Sequence, residues 1–339
     1  MLTGATILMA ALGSVIAPND PARQFRDFVY APPMRVHVDW HGPFVHPLRL
    51  EDRLERRYVE TPDRRLALRW FSEGSLVRLA GDQPLLLLGG DSLGRDVFSR
   101  IAIGARWSLG VALAAAFGAL VIGALVGGMA GFSGGLTDEL LMRGADFVLV
   151  LPTIYVVLAL RALLPLVLPT GTVFVLMVTL LALVGWPVVA RGVRAIVATE
   201  RATEYAAAAR ALGASRARIL MRHLLPAARG FLLVQATLLL PAFVLAEATL
   251  SYVGLGFPEP TPSWGAMLRE AANVRAMAEF PWLLAPAAAI VTFVLGINLL
   301  TRCDAPRHDA WRTVTRRSDA RVADTPAPAR SIDVDRAAA

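Results

Sequence analysis

The chain has 339 residues, 55% of them hydrophobic and only 18% charged, with a mean hydropathy of +0.53. Soluble domains carry about 45–50% apolar and about a quarter charged residues, so this blocky apolar excess predicts an integral membrane protein. The single cysteine, Cys303, excludes a disulfide framework or a cysteine zinc site within one chain. All 34 basic residues are arginine, which excludes a G-x-x-x-x-G-K-[ST] phosphate loop and a Schiff-base lysine.

A membrane-crossing helix needs about 20 predominantly apolar residues. Met1 to Asn19 carries no charge and closes at Pro18, giving a predicted first span over 1–18. The run from Leu12 to Asn19 lacks a small-x-small site ahead of a polar stretch, so it reads as an uncleaved anchor rather than a signal peptide. Residues 19–106 form a long segment outside the bilayer. A second span is predicted over Trp107–Thr137, with Gly127, Gly128, Gly131, Gly134 and Gly135 marking its end. Further spans follow at Leu141–Leu160, Gly171–Ala190, Phe231–Ser251 and Phe280–Thr301, six in all. The core is thus 107–301, with a connecting loop at 191–229, and the tail 302–339 reads as disordered from about Ser318.

Arginine bias over the short loops orients these spans. With both termini cytoplasmic, the inner side holds Arg143, eight arginines between Arg191 and Arg229, and eight from Arg302 onward. The short outer loops hold Arg161, Arg269 and Arg275. Arginines flanking spans also account for the net charge of +7 without a nucleic-acid partner.

The segment 20–106 is too long for a simple loop and predicts a small folded insert. Met34, Val36, Val38 and Trp40 alternate with Arg35, His37, Asp39 and His41, the period of a half-buried strand. Leu66–Phe71 and Leu76–Leu79 read as further strands. His37, His41 and His46 invite a metal, but no carboxylate or cysteine pattern completes a site, so a solvated polar face is the preferred reading.

The loop between the fourth and fifth spans reads as helix, turn, helix. Thr203 is placed to cap the first helix, and the alanine-rich run Glu204–Ala211 propagates it. Gly213 stands where a helix stops in a left-handed residue. Ser215 is placed to cap the second helix, which must end or kink at Pro226. The alanine face leaves room for another protein to approach closely; an ordinary amphipathic loop at the membrane surface is the alternative.

Glu204-x-Ala206-Ala207, Gly213 and Leu225-Pro226 resemble the coupling loop of the permease subunits of bacterial ABC importers, where a short helix docks on the cytoplasmic ATPase. His223 stands in the slot most often held by isoleucine. Leu88-Gly-Gly-Asp-Ser-Leu-Gly-Arg-Asp-Val-Phe-Ser-Arg100 is similar to the dipeptide and oligopeptide branch, with Gly90 in place of the usual threonine. Gly131–Asp138, followed by Met142-Arg143, Asp146 and Leu151-Pro152, and then Gly254–Leu268, are similar to that branch's turns. The resemblance spans about Leu88–Leu300 and thins over the insert. It implies an all-α membrane protein of about six helices in the type I ABC importer permease fold, in the cell inner membrane, forming half of a pathway for short peptides. It also implies a second homologous permease, two ATP-binding cassette subunits and an extracytoplasmic binding protein. ATP and Mg would sit on the partner subunits, with no cofactor or catalytic site on this chain.

The glycines of the turns read as turn formers rather than substrate contacts, and Arg95 with Asp96 as a surface pair. Glu247 is a carboxylate inside a span, which must face protein or a wet cavity. It either lines the translocation path or pairs across the permease interface. A secondary transporter driven by an ion gradient is the alternative function, but the spans show no inverted repeat.

Overall fold

The computed structural model describes residues 2–40, 42–72, 74–80, 83–152, 155, 159 and 168–303. The chain divides into a compact unit, Met1–Asn298, and a second, Leu299–Ala339, of which only 299–303 are described. The helices are α1 Leu2–Ile16, α2 Val97–Ser133, α3 Gly135–Val150, α4 Thr170–Glu200, α5 Glu204–Ala211, α6 Arg216–Ile219, α7 Arg229–Tyr252, α8 Trp264–Ala271, α9 Val274–Glu279 and α10 Ala285–Cys303. Six strands, β1 Val36–Asp39, β2 Gly42–Val45, β3 Leu48–Asp52, β4 Arg57–Glu60, β5 Leu66–Ser72 and β6 Ser75–Leu79, lie between α1 and α2.

Among the described residues four helical stretches are long and apolar enough to cross a membrane: Val97–Ser133, Thr170–Glu200, Arg216–Tyr252 and Pro281–Leu300. At 15 residues α1 is about 22 Å long, shorter than a hydrocarbon core of about 30 Å. α3 stops at Val150, ahead of Leu151-Pro152. Most of the remainder of the predicted third span, together with the tail from 304, lies outside the described residues.

α2 begins ten residues before the predicted Trp107. Asp96 caps it, accepting from the backbone N–H groups of Phe98 at 3.1 Å and Ser99 at 3.2 Å. The helix therefore carries Arg100 and Arg106 in its first turns. Gly134 and Gly135 do end it, both with positive φ. Gly127 and Gly131 do not. They lie within α2 and face α4, where a Cβ on Gly127 would stand 2.2 Å from the Ala190 carbonyl oxygen and one on Gly131 would stand 2.6 Å from that of Arg194. With Gly123 against Val189 they form a small-xxx-small seam, which lets two backbones approach in lipid.

The insert is a four-stranded antiparallel sheet in the order β1-β2-β5-β6, beside a β3–β4 hairpin. Its core gathers Ala31, Met34, Val45, Leu48, Leu79, Leu85 and Leu86. The predicted alternation is present, but only part of the apolar face is covered. Val36 pairs with Val45 and Val38 with Pro43, so both valines share the face of buried Val45, yet Val38 is 81% exposed and Trp40 fully exposed. On the other face half-buried His37 packs its ring against Phe44 at 5.5 Å and His46 at 5.1 Å, an aromatic cluster. Among the described residues no group of three His, Cys, Asp or Glu could hold a metal; His41 lies outside them.

Candidate functional site

At the end of the bundle away from the insert, α5 leaves α4 through a short turn. Glu204 stands in its first turn, where a carboxylate meets the positive end of the helix dipole. Thr203 occupies the cap position but does not cap. Its hydroxyl donates to the Glu200 carbonyl at 2.6 Å, closing the preceding helix instead. At the far end the Gly213 N–H donates to the Arg210 carbonyl and the Ala214 N–H to that of Ala209, the paired bonds of a Schellman stop. Gly213 has φ +76° and open space where a Cβ would be, so conformation alone requires the glycine. Ser215 caps α6, its hydroxyl accepting from the Arg218 N–H at 3.4 Å.

The helix does not break at Pro226. It widens into a π turn over Leu220–Leu224, tightens into a 3-10 turn over Leu225–Ala228, and continues directly into α7. The missing N–H of Pro226 is absorbed by this change of winding. Leu225 is half-buried, close to Gly128 of α2.

Of the alanines, Ala206 turns inward and is fully buried with Val193, Val197, Ile219 and Leu224. Ala207, Ala208 and Ala211 are exposed, and Leu212 beyond them is 88% exposed. The small outward face is therefore anchored by Ala206 and bounded by a protruding leucine. Charged brackets tie it to the bundle. Arg210 donates to the carbonyls of Ala206 and Arg201 at 3.1 and 2.7 Å, and Arg201 donates to that of Phe132, at the end of α2, at 2.6 Å. Arg194 of α4 grips both carboxylate oxygens of Asp138 on α3, and this hydrogen bonding holds Asp138 below its usual range. Arg191 pairs with Asp146 across the same two helices.

At the insert end Arg95 and Asp96 are not a surface pair; both are buried. Arg95 Nε donates to Asp91 Oδ2 at 2.5 Å and its Nη1 to Glu259 Oε2 at 2.5 Å, with Glu270 at 3.9 Å. Arg100 is 1% exposed and reaches Asp91 and Glu259 at 3.6 and 3.5 Å. Glu270 in turn accepts from the Ser92 N–H at 2.5 Å. Two buried guanidiniums thus join the start of α2 to the connection between α7 and α8. Asp96 meanwhile accepts from Ser99 and Asn19, linking α1 to α2, and burial pushes its carboxyl up to about 6. Sequence reasoning missed Asp91, Arg100, Glu259 and Glu270 as one network; the one visible signal was charge placed inside an otherwise apolar helix.

Gly90 has no room for a side chain. A Cβ there would stand 2.5 Å from the carbonyl oxygen of Phe28 in the insert. The Gly90 carbonyl also accepts from the Trp282 indole at 3.0 Å.

Glu247 is fully buried within this chain. Its Oε1 accepts from the Ser251 hydroxyl at 2.7 Å, and its Oε2 is buried with no partner at full hydrogen-bond geometry among the described residues. Nearby, Ser108 of α2 accepts from the Trp264 N–H at 3.2 Å and the Trp264 indole donates to the Ile101 carbonyl at 3.1 Å. The acid sits where α2, α7 and α8 pack together.

Residues 119–305 match the family described as binding-protein-dependent transport system inner membrane component. The chain is 40% identical over 213 residues to the oligopeptide transport system permease protein OppC of Bacillus subtilis (strain 168), covering 62% of this chain and 67% of that one. It is 33% identical over 296 residues to the di/tripeptide transport system permease protein DppC of Pseudomonas aeruginosa (strain UCBPP-PA14), covering 87% and 80%. A chain of the MetNI methionine ABC transporter is similar at 19% identity and a TM-score of 0.45, covering 60% of this chain and 95% of that one.

Proposed function

Since the chain belongs to the family of binding-protein-dependent transport system inner membrane components, we propose that it is the permease subunit of an ABC importer for short peptides, contributing half of the translocation pathway. The relatives named for oligopeptide and di/tripeptide transport support the cargo. The working assembly holds a second homologous permease, two ATP-binding cassette subunits and an extracytoplasmic binding protein. ATP and Mg are bound on the cassettes, because this chain has no lysine from which to build a phosphate loop. Both termini and the loop 191–229 are cytoplasmic, and the insert lies outside, in keeping with the arginine distribution.

The observation that carries this reading is the exposed face of α5. Ala207, Ala208 and Ala211 offer a smooth surface with Glu204 at its start, and the arginine brackets tie that surface to α2 and α4. A cassette docked there moves the bundle when it closes, opening the pathway alternately to the two sides. Nothing in the relatives supports an ion-gradient transporter.

The test is reconstitution of this chain with its second permease, cassettes and binding protein in liposomes. ATP-dependent accumulation of a radiolabelled dipeptide is expected, and none when any one component is left out. Accumulation driven by an ion gradient without ATP would overturn the assignment.

A further inference from the structure

A cavity of about 260 Å³ opens at the insert end, between the start of α4 and the connection from α7 to α8. Its walls include Leu168, Val173, Leu176 and Phe257, and two charged side chains, Glu259 and Arg269, complete the lining. The two charges are in different states. Glu259 is held by Arg95 and Arg100. Arg269 makes no side-chain hydrogen bond or ion pair among the described residues. Its guanidinium lies over Gly254, where a Cβ would stand 2.8 Å from Nη1, so the absent side chain is what gives it room.

A hollow that is apolar on the side of Leu168, Val173, Leu176 and Phe257 and carries an exposed, unpaired guanidinium on the other suits a ligand with an apolar side chain and a carboxylate. The planar fork of arginine fits a carboxylate with two parallel hydrogen bonds. The volume lies below the range of about 300–1,000 Å³ usual for whole small-molecule ligands, so it suits one residue rather than a complete peptide. We propose that this cavity receives the C-terminal residue of a peptide in transit, its side chain against Val173 and Phe257 and its carboxylate on Arg269. The proposal rests on the peptide-importer reading and adds a subsite on the permease itself.

The experiment uses the complete reconstituted importer under ATP turnover. The probe is a dipeptide ending in photo-leucine, offered as the free acid and as the C-terminal amide, with free photo-leucine as a third arm. After illumination, mass spectrometry locates the label. The free-acid dipeptide should mark the segments Leu168–Leu176 and Gly254–Arg269. The amide, or Arg269→Gln with the free acid, should reduce this labelling about tenfold, the loss expected for one charge-assisted contact. Labelling of the binding protein should be unchanged. Equal labelling in wild type and Arg269→Gln, or label confined to other segments, overturns the subsite while leaving the importer reading intact. Equal labelling by free photo-leucine overturns the peptide assignment of the cavity. Failure of the wild-type complex to accumulate any peptide with ATP overturns both readings, and is recognised by the uptake measurement itself.

Discussion

Arg95 and Glu259 are 164 positions apart in the chain and meet at 2.5 Å. One is 4% exposed and the other 60%. The contact therefore joins a fixed, buried cation on the approach to α2 to a carboxylate that reaches it from the solvent side.

This asymmetry predicts unequal costs. Asp91→Asn removes the buried partner of both arginines and should destabilise the chain by about 3 kcal/mol or more, as for breaking a buried pair. Glu259→Gln removes the exposed partner, which water replaces, and should cost about 1 kcal/mol or less. Thermal denaturation in detergent, followed by loss of the monodisperse peak on gel filtration, ranks the two. Equal shifts would mean that the network does not hold the ends of α2 and α7 together.

Asp96 gives a pH dependence. Its carboxyl titrates near 6 when folded, against an ordinary value of 3.8, because it is buried at the helix start. Between those values the unfolded chain releases the proton while the folded chain keeps it. Stability from this group is therefore complete below about pH 4, falls as pH rises to about 6, and levels off above. Asp96→Asn keeps a capping oxygen and cannot ionise, so its melting temperature should lack that decline between pH 4 and 7. A parallel decline in both proteins would assign it to another group.

If the loop 191–229 couples to the cassettes as proposed, it should fail in function before it fails in folding. Gly213→Val forces a left-handed conformation on a β-branched residue, at a cost of about 1–2 kcal/mol, and misdirects α6. Glu204→Arg places a cation at the positive end of α5. Both variants should insert normally but lose co-purifying cassettes and substrate-stimulated ATP hydrolysis. Wild-type assembly and hydrolysis in both would remove the loop from the mechanism.

The seam between α2 and α4 is open to a paired test. Gly127→Ala pushes a methyl group into the Ala190 backbone, whereas Gly230→Ala meets nothing within 4 Å. The first should cost about 1–3 kcal/mol by overpacking, while the second should be neutral or slightly stabilising. The yield of monodisperse protein at matched expression compares them.

The position of the insert can be tested in cells. With Cys303→Ser as background, Trp40→Cys places a thiol at a fully exposed site. A membrane-impermeant maleimide should label it in intact spheroplasts; labelling only after lysis would reverse the topology.

What could be read in the sequence was local. Gly213 and Ser215 act within a few residues of themselves, and their roles follow from spacing. The strand at 36–39 follows from alternation, and the readings at Leu66–Phe71 and Leu76–Leu79 fall on β5 and β6. Thr203 does not cap because its hydroxyl is taken by the Glu200 carbonyl of the preceding turn. The start of α2 was misplaced because Arg100 and Arg106 looked like a membrane boundary, while the acidic partners of Arg100, Asp91 and Glu259, lie before the helix and far along the chain. Gly127 and Gly131 carry no sign of which helix they face. Glu259, Glu270 and Arg269 acquire meaning only when the connection after α7 is folded back onto α2 and α4.

The bare α-carbon of Gly90 has an implication for modularity. Where any side chain at position 90 would begin, the Phe28 carbonyl of the insert already sits. The insert is therefore not an independent appendage that could be cut away or grafted elsewhere without adjustment. Transplanting it onto a threonine-bearing relative would require the threonine to be replaced by glycine in the same step. The ornament and its host have been fitted to each other at a single carbon atom.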